Sequence, residues 1–229
     1  MSKAIVLLSG GQDSTTALYW AKQNFDEVIA VSIFYGQRHK AELEAAKEIA
    51  RMAGAVHRVL EIPALGSLGN SALVDASKPL TWEGGIPDKA MPQGLPSSFV
   101  PGRNALLLTL AGAVAVKEGA KDIVTGVCQT DYSGYPDCRR EFVDSLEKTL
   151  ALAMPSSAGP FRILTPLMHM TKAETVRLAR RLPGCWRALA LSVTCYEGLR
   201  PGCGECPACD LRERGFVEAD EIDPATETK

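Results

Sequence analysis

The sequence predicts an α/β fold, in which a parallel β-sheet is covered by helices. Two observations predict it: strand-like and helix-like segments alternate along the first half of the chain, and a glycine-containing turn joins the first strand to a helix. Hydrophobic residues make up 46% and charged residues 23% of the 229 residues, which is near the average for globular proteins. A chain of this length can bury a full core, so we predict a single domain over residues 1–229.

Each element follows from a local pattern. Apolar runs predict strands at residues 4–8, 28–34, 56–62, 122–127 and 161–164. Helical patterns occupy residues 14–24, 40–53, 104–118 and 139–154. Thr171 and Glu174 form a capping box that predicts a further helix, which the Pro-Gly pair at 183–184 ends. Residues 63–98 are rich in Gly, Pro and Ser and predict a long functional loop, and the tail after Phe216 is short and acidic.

The turn after the first strand has the composition of a phosphate-binding loop. The adjacent Gly10 and Gly11 let the backbone approach an anion, and the first N–H groups of the following helix point toward it. Ser9, Ser14 and Thr15 can donate further hydrogen bonds. No G-x-x-x-x-G-K-[ST] motif occurs in the chain, which argues against nucleotide hydrolases that use that lysine. A strand-to-helix turn that is merely rich in small residues is the alternative.

This loop resembles the S-G-G-x-D-S pyrophosphate loop (PP-loop) of the N-type ATP pyrophosphatases. The resemblance implies cleavage of ATP between its α and β phosphates. It assigns ATP binding to the loop and the helix start, namely Leu8, Ser9, Gly10, Gly11, Gln12, Asp13, Ser14, Thr15, Thr16, Ala17 and Leu18.

Four of the seven cysteines crowd together near the C-terminus with the spacing Cys195-x7-Cys203-x2-Cys206-x2-Cys209. Tight turns rich in Gly and Pro can present four thiolates to one ion, which predicts a zinc-binding segment at residues 195–210. An iron–sulfur cluster is the chemical alternative, because four cysteines also ligate it. A closed four-thiolate site leaves no coordination position for water, so we expect it to support folding rather than catalysis.

Composition argues against several classes of function. The formal net charge of −2 gives no electrostatic footprint for long nucleic acid, so we expect small ligands and no nucleic acid partner. No apolar stretch approaches the ~20 residues that a membrane span needs. The apolar run after Lys3 is too short for a signal peptide, so we expect a cytoplasmic protein without a membrane partner.

Four further motifs accompany the loop and the cysteines. They are Tyr-Gly-Gln-Arg-His at 35–39, Phe-Val-Pro-Gly-Arg-Asn at 99–104, the Gly- and Asp-containing stretch 125–139, and Thr-Pro-Leu-Met at 165–168 followed by Lys-Ala-Glu-Thr at 172–175. In this order the set resembles the 7-cyano-7-deazaguanine synthase family of queuosine biosynthesis. The resemblance implies a Rossmann-like adenine-nucleotide-binding sheet, one zinc ion per chain, Mg2+ with ATP, and a homodimer. It also implies conversion of 7-carboxy-7-deazaguanine to a nitrile with ATP and ammonia.

The resemblance further implies roles for individual side chains. It assigns catalysis to Ser9, Asp13, Ser14, Arg38, Arg103 and Lys172, with the two arginines neutralising charge on departing pyrophosphate. It assigns Asp13 to magnesium or to the loop backbone, and a helix cap is the structural alternative. It assigns binding of the deazaguanine ring and its carboxylate to Asp131, Tyr132, Tyr135, Asp137 and Arg139. Without the resemblance, ordinary turn chemistry would explain these residues.

Two other functions stay open at this point. One is a PP-loop enzyme of tRNA thiolation, a class that usually has a basic RNA-docking surface or an added RNA-binding domain. The other is a zinc-stabilised nucleotide-binding regulator, which predicts ATP binding without turnover. The source of ammonia is also open.

Overall fold

A computed structural model of the chain describes residues 1–37, 40–63, 71–75, 98–130, 134–154, 157 and 159–227. Within these residues, five parallel strands form one sheet in the order β3-β2-β1-β4-β5, which confirms the predicted fold class. The strands are β1 (Lys3–Leu7), β2 (Glu27–Phe34), β3 (Val56–Glu61), β4 (Asp122–Val124) and β5 (Arg162–Leu164). The strand order reverses at β1, and open parallel sheets bind ligands beyond the carboxyl ends of their strands at such a point.

Helices cover both faces of this sheet. They are α1 (Gln12–Asn24), α2 (Ala41–Met52), α3 (Arg103–Glu118), α4 (Arg140–Ala153), α5 (Lys172–Arg181), α6 (Cys185–Leu189), α7 (Pro207–Ala219) and α8 (Pro224–Glu227), with a 3-10 turn at Pro136–Cys138. Side chains alternate along β1, so Ala4 and Val6 pack under α1, α2, α5 and α6. Ile5 faces the other way and packs with α3 and α4. Burial on both faces explains why the central strands β1, β2 and β4 are nearly continuous apolar runs, whereas the edge strand β3 has no buried residue.

The register of the central strands places three isoleucines in one row. Ile5 pairs with Ile29 of β2 and with Ile123 of β4, and all three side chains are buried. Because β1 pairs with β2 on one side and with β4 on the other, it is the central strand of the sheet. The loop that follows β1 therefore emerges at the reversal point.

Two predicted boundaries differ from the structure by two or more residues. The strand expected at 122–127 ends at Val124, because its partner β5 has only three residues and the chain then passes against α1. There a Cβ on Gly126 would lie 2.8 Å from the carbonyl carbon of Asp13. The helix expected from residue 14 begins at Gln12, and Gly11 is its N-cap, so Asp13 lies in the first turn and does not cap the helix.

The capping box is confirmed. Thr171 accepts a hydrogen bond from the backbone N–H of Glu174, whose side chain accepts from the backbone of Thr171. Helices α6, α7 and α8 were not predicted, and α7 begins inside the segment that the sequence assigns to metal binding. Residues 64–70 and 76–97, most of the predicted functional loop, lie outside the described residues. None of the described helices combines the length and apolarity needed to cross a membrane.

Candidate active site and metal centre

A cavity of about 340 Å3 lies at the carboxyl ends of β1, β2 and β4. Residues from the loop after β1, the end of β2 and the start of α3 line it, together with residues from the cysteine-containing segment. Its volume is in the range of small-molecule binding sites. The predicted nucleotide loop, here defined as residues 8–15, forms one wall.

The serines of the nucleotide loop brace the loop itself. Ser14 Oγ accepts hydrogen bonds from the backbone N–H groups of Ser9 and Gly10, both at 3.2 Å. Thr15 Oγ1 donates to the carbonyl of Gly11 at 2.8 Å, so this hydroxyl serves the helix start. The loop is thereby held in one shape, with its glycine backbone beside the cavity.

The two adjacent glycines have different reasons to be glycine. Gly10 has a φ of +93°, and a Cβ there would lie 2.1 Å from the carbonyl oxygen of Glu42 in α2. The loop therefore rests directly on the first turn of α2. At Gly11 the nearest neighbouring atom is 3.5 Å from a Cβ, so this position has room and borders the cavity. Contact with α2 thus requires glycine at Gly10, and close approach of an anion, the reason predicted from the sequence, stays a prediction that the position of Gly11 supports.

The predicted ATP-binding residues divide into two groups. Leu8, Ser9, Gly11, Gln12, Asp13 and Ser14 line the cavity. The second group is buried and does not line the cavity: Gly10, Thr15, Thr16, Ala17 and Leu18. Thr16 Oγ1 donates to the carbonyl of Gln12 at 3.0 Å. The assignment of both groups to ATP stays a prediction.

Asp13 and Lys172 form an ion pair at the cavity wall. Lys172 Nζ lies 2.8 Å from Asp13 Oδ2, with side-chain exposures of 13% and 26%. The capping box places Lys172 at the start of α5. The lysine side chain packs against Gly215 of α7, where a Cβ would lie only 2.4 Å from Lys172 Cγ. Chain segments 159 residues apart in sequence thus meet at the nucleotide loop.

Buried polar atoms without partners mark the same wall. Among the described residues, Gln12 Nε2 and Asp13 Oδ1 are buried and make no hydrogen bond. Native proteins rarely leave such atoms unsatisfied, and each one indicates a ligand, an ion or water. The wall thus offers an amide donor, a lysine and a free carboxylate oxygen, the type of ligand that Mg2+ prefers.

A second cluster surrounds Arg103 at the start of α3. Burial lowers the pKa of Arg103, but Tyr35, Tyr135 and Asp137 outweigh it and raise that pKa, so the guanidinium stays charged. Tyr35 also hydrogen-bonds to it. The guanidinium carbon lies 5.7 Å from the centre of the Tyr135 ring, within the range of a cation–π contact.

Tyr135 and Asp137, both predicted to bind the ring of the substrate, already have protein partners. The Tyr135 ring packs against Phe99, with the ring centres 5.6 Å apart, and its hydroxyl hydrogen-bonds to Ser98. Asp137 Oδ2 accepts from the backbone N–H of Asn104 at 3.0 Å, whereas Oδ1 is buried without a partner. Tyr135 lines the cavity, while Asp137 lies behind its surface.

The other predicted side chains are placed as follows. Arg139 is exposed and precedes α4, outside the residues that line the cavity. The predictions for Arg38, Asp131 and Tyr132 lie outside the described residues.

Sequence reasoning missed Glu42, which lines the cavity from the first turn of α2. Burial raises the pKa of this carboxyl to about 7, although the charge of Arg103 lowers it. Acidic residues in a first helical turn are usually surface groups that complement the helix dipole. Only its nearness in sequence to the motif at 35–39 could have drawn attention to it.

The four-cysteine centre, Cys195, Cys203, Cys206 and Cys209, brings its sulfurs within 4.8 Å of one another. The Sγ atoms of Cys203 and Cys209 are 3.9 Å apart, and those of Cys206 and Cys209 are 3.5 Å apart. Four sulfurs at tetrahedral positions around one ion, with bonds of about 2.3 Å, are about 3.8 Å apart. The hydrogen bond between Cys206 and Cys209 lowers the pKa of Cys206, which favours a thiolate in this cluster. The centre therefore fits a metal ion.

Arg212 connects this centre to the nucleotide loop. It lies one turn after Cys209 on α7, is only 3% exposed and pairs with Asp223 through two nitrogens, at 2.5 and 2.8 Å. Its remaining donors hold the segment before the cysteines, reaching Ser192 Oγ at 2.8 Å, Thr194 Oγ1 at 3.0 Å and the carbonyl of Leu189 at 3.3 Å. Within that segment, the backbone N–H of Val193 donates to the carbonyl of Gly10 at 2.9 Å.

Comparison with known proteins gives consistent matches. Residues 3–220 match the sequence model of a family described as queuosine biosynthesis protein QueC. A protein of Chromobacterium violaceum named 7-cyano-7-deazaguanine synthase is 50% identical over 227 residues, covering 98% of this chain and 93% of the relative. A protein of Laribacter hongkongensis with the same name is 50% identical over 221 residues, covering 96% and 93%.

A solved structure shares the fold. It is a 4-thiouridine synthetase in complex with RNA and with bound ATP, and it superimposes with a TM-score of 0.52 at 18% identity. The match covers 94% of this chain and 53% of that chain. At this identity the likeness concerns the fold alone.

Proposed function

The chain belongs to the QueC family of queuosine biosynthesis proteins, and we propose that it is an ATP-dependent enzyme that converts 7-carboxy-7-deazaguanine and ammonia to 7-cyano-7-deazaguanine. One observation carries the proposal: the relatives named for this activity are half identical to this chain over almost the whole length of both proteins. The cavity beside the nucleotide loop supports it, because it offers partners for phosphates and for a small ring in one place.

The chemistry requires activation of oxygen. A carboxylate does not react with ammonia until one of its oxygens becomes a leaving group. In the first round this oxygen attacks the α-phosphorus of ATP, pyrophosphate departs, and ammonia then displaces AMP to give an amide. In the second round the amide oxygen attacks ATP in the same way, and loss of AMP leaves the nitrile.

The nucleotide loop and the Asp13–Lys172 pair are proposed to serve both rounds. The N–H groups at Gly11 and at the start of α1 would bind phosphate oxygens, as helix N-termini do. Lys172 would balance the charge that develops between the α and β phosphates. Bound magnesium would neutralise phosphate charge, and the free Asp13 Oδ1 is the oxygen we assign to it.

The Arg103 cluster is proposed to bind either the departing pyrophosphate or the 7-carboxy-7-deazaguanine. Arg103 keeps its charge in a half-buried position beside Tyr135, which suits neutralisation of departing pyrophosphate or of the substrate carboxylate. Binding of the deazaguanine edge by Asp137 is proposed from the family resemblance, and its buried Oδ1 is an acceptor without a partner among the described residues. The roles of Arg38, Asp131, Tyr132 and Arg139 are proposed from the family resemblance alone.

The four-cysteine centre is proposed to hold one zinc ion per chain in a closed, structural site. Four thiolates at near-tetrahedral distances support zinc, the usual ion of such sites. A homodimer is proposed from the family resemblance, and the expected cytoplasmic location stays a prediction.

The test is a reaction of the purified, metal-loaded chain with Mg2+, ATP, ammonium and 7-carboxy-7-deazaguanine, followed by mass spectrometry of base and nucleotide. The proposal predicts the nitrile together with AMP, and no nitrile when ammonium is omitted. Unchanged acid and persistent ATP, from protein shown to be folded and metal-loaded, would overturn it.

A further inference from the structure

Glu42 is a cavity carboxylate for which ATP activation has no role. Its half-buried side chain has no ion-pair partner among the described residues, although it lies near the charge of Arg103. Its position is fixed by the backbone, because the first turn of α2 rests on Gly10 of the nucleotide loop with no room for a Cβ between them. Glu42 therefore lies in the cavity wall beside the nucleotide loop.

The reaction needs a proton acceptor at this place. When ammonia attacks the acyl adenylate, its lone pair forms the C–N bond and the nitrogen becomes positively charged. The nitrogen then loses a proton, and the C–O bond to AMP breaks with its electron pair leaving on the phosphate oxygen. In nitrile formation the adenylated amide nitrogen loses its remaining protons as the C≡N bond forms and AMP departs.

The other charged groups of the cavity are poorly suited to accept these protons. Arg103 on α3 holds its own proton, and Lys172 on α5 is paired with Asp13 on α1. Burial raises the pKa of Tyr35 at the end of β2, so its hydroxyl stays protonated. Arg212, which also lines the cavity, is held by Asp223.

Two charged groups share the start of α2 with Glu42. Lys40 is exposed at the N-cap, and Glu44 is exposed on the first turn.

We propose that the Glu42 carboxylate is the general base of both nitrogen steps, taking one proton from the attacking nitrogen in amide formation and, in nitrile formation, the two protons of the amide nitrogen one after the other. It releases each proton to solvent before the next step. This inference rests on the proposed function. A pKa of about 7 suits the role, because the group is largely ionised just above neutral pH and still basic enough to accept a proton.

The test separates activation from the nitrogen steps with the variant Glu42→Gln, which keeps the size of the side chain and removes its basicity. Activation is measured as acid-dependent exchange of labelled pyrophosphate into ATP without ammonium. The nitrogen step is measured as amide formation from ammonium across pH 6–9. We expect exchange within about twofold of the unmodified protein, amide formation lowered about 100-fold, and loss of the rise in kcat/KM near pH 7.

Three controls sharpen this result. Glu44→Gln removes an exposed carboxylate from the same helical turn and is expected to keep the pH profile. Glu42→Asp retains a base and is expected to retain the rise near pH 7 at a reduced rate. Hydroxylamine, whose positively charged nitrogen after attack is a much stronger acid than that of ammonia and can lose its proton to water, is expected to trap the acyl adenylate of Glu42→Gln almost as well as that of the unmodified protein.

Two results would overturn the inference. Exchange that falls as far as amide formation would indicate a role in shaping the loop, and a rise near pH 7 that survives in Glu42→Gln would place the base elsewhere. Both are distinct from failure of the proposed function, in which the unmodified protein itself makes no nitrile.

Discussion

The nucleotide loop and the four-cysteine centre satisfy their polar atoms in opposite ways. At the centre, four sulfurs converge within 4.8 Å, so one ion would complete the site from inside. At the loop, the serines are satisfied by the loop itself, whereas Gln12 Nε2 and Asp13 Oδ1 are buried in the cavity wall without partners among the described residues. The difference indicates a permanent ion at one region and an exchanging ligand at the other.

The two regions are nevertheless mechanically joined. Arg212 binds the segment between α6 and the cysteines, and Val193 of that segment binds the carbonyl of Gly10. Loss of the metal is therefore expected to disturb the conformation of the nucleotide loop, whereas an empty nucleotide site is not expected to change metal binding.

The largest effect is expected from Cys209→Ser, which removes one thiolate from the four-cysteine centre. Structural zinc sites contribute on the order of 10 kcal/mol, so we expect loss of bound metal and of most of the stability. Elemental analysis and thermal unfolding measure both. Cys138→Ser, which changes a cysteine outside the centre, should keep its metal. A Cys209→Ser protein that melts like the unmodified chain would show that the centre does not support the fold.

Gly10→Ala should cost about 3 kcal/mol of unfolding free energy, because its left-handed φ and the Glu42 carbonyl at 2.1 Å both oppose a Cβ. The matched control is Gly11→Ala, which has room and should instead weaken ATP binding with little loss of stability. Chemical denaturation and ATP titration of both variants measure the contrast. Equal loss of stability in the two would contradict the different roles of these glycines.

Lys172→Met should slow activation of the acid about 100-fold, because it removes the positive charge beside the phosphates. Pyrophosphate exchange measures this, and Lys117→Met on the exposed side of α3 is the control. Metal content should be unchanged in both variants. If Lys172→Met exchanged pyrophosphate at the rate of the unmodified protein, the only role of this lysine would be its ion pair with Asp13.

Glu42 also predicts how stability depends on pH. Its pKa is about 7 in the folded chain and near its ordinary 4.5 in the unfolded chain, so the folded state binds the proton more tightly. This contribution is complete below pH 4.5 and is lost as pH rises toward 7. Denaturation at pH 5 and pH 8 should show that Glu42→Gln gains stability relative to the unmodified chain at the higher pH. An equal gain in unfolding free energy at pH 5 and pH 8 would contradict the raised pKa of Glu42.

The smallest effect is expected from Thr171→Ala, which removes the capping box of α5. Such caps contribute about 1 kcal/mol, and we expect that loss in chemical denaturation. Thr149→Ala, on the exposed side of α4, should change stability by less than about 0.5 kcal/mol.

Most of the fold could be predicted from local sequence patterns. The strands and the capping box depend on residues close in sequence, and they were predicted to within a few positions. Helix α7 was missed because the glycines and prolines around the cysteines also suit turns, although Pro207 at its first position is a typical helix start.

The site was less predictable, because it depends on long-range contacts. The nucleotide loop and the cysteine spacing are contiguous motifs. In contrast, the need for glycine at Gly10, the position of Glu42 and the link through Arg212 come from segments that meet only in the folded chain.

The central claim, two rounds of activation at one cavity, is tested most directly with 7-carboxy-7-deazaguanine labelled with 18O in both carboxylate oxygens. Each round should transfer one labelled oxygen to the phosphate of AMP, so two molecules of singly labelled AMP should form for every nitrile. Label released into water or pyrophosphate, or nitrile formed with a single AMP, would contradict the two activations.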